Sequence, residues 1–174
     1  VHSADSLSRL VAIAETERRD LVSVMVKLRC ESVPERLLVP AFVFFFFLLY
    51  PPAWIAHRKR GAAGAAGGCV LIRPEALDRA GGIGAIRNEL IDDCALAKAV
   101  KASGGSLWLG LSEFTRSVRP YSTFSDIRRM VERTAFTQLR YSVLLLAGTS
   151  LGMLLLFVAP LARSTVTGLC VWLV

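Results

Sequence analysis

The chain has 174 residues, 53% of them apolar and 20% charged, with a net charge of +7. That is enough for one modest domain, and the mixture argues against both a purely soluble domain and an all-membrane one. Cys30, Cys69, Cys94 and Cys170 lie far apart, and only His2 and His57 accompany them. This excludes a zinc-type cluster and a disulfide framework and points to a reducing compartment. The positive charge suits anionic lipid, nucleotide phosphates or nucleic acid equally. The chain opens on Val1 with no signal-peptide layout behind it, so the natural N-terminus is expected upstream.

Residues 5–17 predict a helix, capped by Asp5 or Ser6, with Leu7, Leu10, Val11 and Ala14 on one face. The β-branched run Leu21 to Val26 predicts a strand. Ser32-Val33-Pro34-Glu35 has the form of a capping box with proline in the first turn, and the helix it opens runs to the Pro51-Pro52 stop. Its second half, Ala41 to Tyr50, is a ten-residue block with five phenylalanines and no charge. As a helix the block spans about 15 Å, half a hydrocarbon core, so it cannot cross a membrane alone. It reads as a segment lying at the bilayer surface, with a buried core helix as the plainer alternative. Trp54 and His57-Arg58-Lys59-Arg60 follow as an aromatic belt and a phosphate-facing patch would.

Gly61 to Gly68 predicts a small-residue loop, Cys69 to Arg73 a strand, Pro74 to Leu77 the start of a short helix, and Gly81 to Gly84 another loop. A helix is expected from Asp92 until Gly104-Gly105, then a strand over Ser106 to Leu111. Short strands alternating with helices argue for an α/β lobe. Residues 124–142 read as a basic amphipathic helix, and residues 143–162 are twenty uncharged positions, long enough to span a bilayer. Residues 164–174 look like the start of a second span. Six arginines lie within residues 116–140 and only Arg163 follows the span, which predicts a cytoplasmic lobe.

Three features can carry chemistry. Asp92-Asp93 at a helix start reads either as a cap with a solvated neighbour or as a cap beside a general base that the helix terminus keeps ionised. Gly67-Gly68 is either a tight turn or a bare stretch of backbone that a substrate can approach. Thr137 to Tyr141 is either a basic interfacial helix end or an arginine and an aromatic facing a diphosphate.

The run from Gly67 to Gly105, GGCVLIRPEALDRAGGIGAIRNELIDDCALAKAVKASGG, resembles the second half of a family-2 glycosyltransferase of GT-A fold. More narrowly, VSVMVKLRCES, RTAFTQLRYS and the phenylalanine block resemble the hopene-associated (hopanoid biosynthesis) glycosyltransferases, relatives of the ceramide glucosyltransferases. The resemblance implies an α/β chain. Residues 1–123 would form the acceptor-side half of a GT-A domain, with an interfacial apolar segment at 37–56. An interface helix at 124–142 and a transmembrane region at 143–174 would follow. It puts Asp93 in the place of the base, Asp92 beside it, and Gly67-Gly68 in the glycine-led loop. It also sets Arg140 and Tyr141 on the diphosphate-binding Q-x-x-R-W motif, with Gln138 one residue late. It implies a nucleotide sugar such as a UDP-sugar, a lipid acceptor and a membrane as partners, and no nucleic acid. The D-x-D triplet that binds Mg²⁺ or Mn²⁺ is expected upstream of Val1, so this piece alone is expected to be inactive. The alternative is a non-catalytic, membrane-anchored module that binds a lipid surface.

Overall fold

The computed structural model describes residues 1–139 and 142–155, with backbone alone at 133–138. The chain divides into two compact units, Val1–Val131 and Glu132–Val174.

The first unit is built on a three-stranded sheet in the order β2-β1-β3. β1 is Leu21–Lys27, β2 is Val70–Ile72 and β3 is Leu107–Arg116. β1 pairs antiparallel with β2 and parallel with β3, with a register shift between Met25 and Lys27. β1 is buried from Leu21 to Val26, as expected of a central strand covered on both faces. Val22, Val24 and Val26 pack with Leu10 and Ala14 of α1 (Ser6–Thr16) on one face. Leu21 and Met25 join the main core on the other, with Ile55, Leu107 and Val100. The starts of β1 and β3 are tied by Asp20, whose Oδ2 accepts from the N–H and the hydroxyl of Ser106, both at 2.7 Å. β3 runs past the expected end at Leu111. Asp5 makes no capping bond and pairs with Arg9 instead.

The capping box forms as the sequence predicts. Ser32 Oγ accepts from the Glu35 N–H at 3.3 Å, and Glu35 Oε2 accepts from the Ser32 N–H at 2.8 Å. Glu35 is fully buried, and its other oxygen accepts from the Tyr121 N–H at 2.7 Å. The helix opened here, α2, runs over Val33–Leu49, and α3, Pro52–Ala56, follows the proline break. The phenylalanine block is therefore the second half of a 17-residue helix, about 25 Å long. Val33, Leu37, Pro40, Phe44 and Leu48 recur along one exposed side of it, whereas Glu35, Val39 and Tyr50 are buried on the other. The helical stretch Val33–Ala56, 24 residues at mean hydropathy 1.9, is long and apolar enough to cross a membrane by length and composition. Both of its ends, however, pack into the same lobe.

α4 (Pro74–Arg79), a 3₁₀ turn at Ile83–Ile86 where only a loop was expected, and α5 (Asp92–Ala102) complete the lobe. α5 ends in a Schellman motif: Gly104 sits at φ +86°, and the Gly105 N–H bonds the Val100 carbonyl at 2.8 Å. α6 covers Phe124–Gln138.

In the second unit, Ser142 caps α7, Val143–Met153, by accepting from the Leu145 N–H at 3.3 Å. α7 buries no side chain, and its eleven residues fall short of a bilayer's thickness. The rest of the expected span, 156–162, and the expected second span, 164–174, lie outside the described residues.

Candidate active site

The acidic pair stands in the first turn of α5. Ile91, not an aspartate, occupies the N-cap, so the two carboxylates are the first residues of the helix and meet first-turn N–H groups from there. Asp92 is exposed, and its Oδ1 accepts from the Asp93 N–H at 3.0 Å. Asp93 is half-buried and reaches across to the glycine loop. Its Oδ1 accepts from the Cys94 N–H at 2.7 Å and its Oδ2 from the Gly67 N–H at 2.6 Å.

A helix start was expected to keep this carboxylate readily ionised. Instead, burial pushes the Asp93 carboxyl above its ordinary 3.8, and the Asp92 charge adds to that push. The N–H groups of Cys94 and Gly67 oppose the shift without cancelling it. A carboxylate raised in this way is a stronger proton acceptor at neutral pH than an ordinary one.

Gly67 and Gly68 serve close approach. A Cβ at Gly67 would lie 2.9 Å from Asp93 Oδ2, and one at Gly68 would lie 2.8 Å from Val26 Cγ1. The missing side chains make room for protein atoms, which neither sequence reading anticipated.

The loop ahead of these glycines is held residue by residue. Lys101 Nζ donates to the Ala62 carbonyl at 2.5 Å and to the Ile55 carbonyl at 2.9 Å. Cys94 Sγ donates to the Ala65 carbonyl at 3.5 Å. Ser23 Oγ accepts from the Ala66 N–H at 2.7 Å and donates to its carbonyl at 3.0 Å. Ser23 had a signal in the sequence as the one polar residue in the apolar run Leu21 to Val26. Lys101 had none.

Asp92, Asp93, Gly67 and Gly68 are thus brought together within the first unit. Gln138 ends α6 in the second unit, and Arg140 and Tyr141 lie outside the described residues. Among the described residues no group of three His, Cys, Asp or Glu side chains is placed to hold a metal ion.

Comparison with protein-family models matches residues 4–174 to glycosyl transferase family 21. No curated protein and no solved structure matches the chain. The match supports the glycosyltransferase reading and the kinship to ceramide glucosyltransferases, while family-2 membership and hopanoid biosynthesis are not part of it. Since the match covers nearly the whole chain, this protein belongs to glycosyl transferase family 21.

Proposed function

We propose that the chain is the acceptor-side part of an inverting glycosyltransferase that moves a sugar from a nucleotide sugar, such as a UDP-sugar, to a lipid hydroxyl. The acceptor would be hopanoid- or ceramide-like. Family 21 implies glycosyltransferase activity with a lipid-like acceptor, and its members are membrane-associated. The observation that carries the assignment of the base is the half-buried Asp93 carboxylate, oriented by the Gly67 N–H and raised above its ordinary pKa.

In this reading Asp93 takes the proton from the acceptor hydroxyl. The freed oxygen attacks the anomeric carbon, the bond from that carbon to the diphosphate oxygen breaks, and the nucleoside diphosphate leaves with the electron pair. Arg140, with Tyr141 and Gln138 beside it, would meet the charge on the leaving diphosphate. The complete enzyme would use Mg²⁺ or Mn²⁺ to meet charge on the diphosphate, and residues 1–174 would be inactive alone.

The membrane side rests on α2. Its exposed stripe is apolar, and Trp54 and Arg60 stack 4.7 Å apart just beyond it, beside Arg58 and Lys59. We assign this face to the surface of the inner membrane, the lobe facing the cytoplasm, with residues 143–162 crossing it.

Comparing Asp93→Asn with Asp92→Asn in the complete enzyme tests the base. Asp93→Asn is expected to lower kcat and kcat/KM together by about 10²–10⁴-fold, the usual worth of a general base, while nucleotide-sugar binding persists. Asp92→Asn is expected to be milder. Near-normal turnover by Asp93→Asn would remove the assignment.

A further inference from the structure

The loop that presents Gly67 to Asp93 is fixed from two sides. Ser23 of β1 grips Ala66 on one side. On the other lies Tyr50, the residue that closes α2. Tyr50 is buried, with 8% of its surface exposed, and its backbone N–H bonds the Phe46 carbonyl at 2.9 Å. Its ring packs against that of Phe46, with centroids 5.2 Å apart. The same ring lies flat on the backbone of Gly64: a Cβ there would fall 2.3 Å from Tyr50 Cδ1 and 2.8 Å from both Cε1 and Cγ. No side chain fits between ring and loop, so the ring sets how deep the loop can sit. Three residues on, Gly67 offers Asp93 its N–H.

We propose that Tyr50 is a positioning residue: its ring seats the Gly64–Gly67 loop and thereby holds the Gly67 N–H against Asp93 Oδ2. The helix assigned to the membrane surface therefore ends on the loop that orients the base. This inference rests on the reading of Asp93 as the base. The Gly67 N–H bonds the charged form of Asp93, so loosening that contact raises the carboxyl further and turns the base off at a higher pH. Phenylalanine keeps the ring and its seat, whereas alanine removes both.

The test is the pH profile of kcat/KM in the complete enzyme, reconstituted in lipid. Tyr50→Ala is expected to move the acid limb up by about one pH unit, the size of one weakened hydrogen bond to a charged group. Tyr50→Phe is expected to keep the wild-type limb. Gly64→Ala, which drives a methyl into the ring, should move the limb in the same direction as Tyr50→Ala, but should add little to it in the double variant. An unmoved limb in Tyr50→Ala overturns the proposal, as does a limb that moves equally in Tyr50→Phe. Asp93→Asn, measured alongside, keeps the two readings separable. If that variant still turns over, the assignment of the base has failed. If it is dead and the Tyr50→Ala limb stays in place, only the role of Tyr50 has failed.

Discussion

At the scale of single residues, this lobe uses its carboxylates in opposite ways. Burial raises the Asp93 carboxyl above its ordinary 3.8. At Asp20 burial also pushes upward, but the N–H and hydroxyl of Ser106 outweigh it, with help from the Arg79 charge, and the carboxyl ends below its ordinary 3.8. The folded state thus prefers Asp20 ionised. Its contribution is complete above the unfolded value of 3.8 and is lost as pH falls through the lowered folded value. Asp20→Ala leaves the buried Ser106 N–H without its acceptor and is expected to cost about 1–3 kcal/mol at neutral pH. It should also flatten the loss of stability below pH 3.8, and thermal unfolding from pH 7 to pH 3 reads both effects. An unchanged melting temperature at pH 7 would show that the tie between β1 and β3 is dispensable.

At the scale of elements, α2 separates what pattern alone can tell from what packing decides. The capping box, the proline stop and the uncharged block were legible, because each is a local rule read from neighbouring residues. Whether so apolar a helix spans or lies flat was not, because hydropathy is the same in both cases. Packing bears on the choice. The start of α2 is pinned through Glu35 to Tyr121, and its end is buried through Tyr50 and Ile55. On the proposed reading, a helix held at both ends by one lobe keeps those ends on the same side of a bilayer. Native Cys30, exposed just ahead of α2, and a cysteine at Arg58, just beyond α3, report on this directly. An impermeant maleimide is expected to label neither in intact cells and both after permeabilisation. Labelling of one of the two from outside would make α2 a span.

At the scale of the whole molecule, the α/β alternation was legible because strands and helices differ in apolar period. The site was legible only in part. The acidic pair stood out as adjacent charges at a helix start, yet its environment did not, because the Gly67 contact joins residues 26 positions apart in sequence. The same holds for Lys101, whose two carbonyl partners lie 39 and 46 positions away. The proposed function unites these pieces in one reaction, in which a lipid hydroxyl, relieved of its proton by Asp93, would displace a nucleoside diphosphate in a single step. Such a step inverts the anomeric centre. The most direct measurement is therefore the anomeric configuration, by NMR, of the glycolipid that the complete enzyme makes from its nucleotide sugar. The account predicts a linkage inverted relative to the donor, and a retained linkage would contradict it.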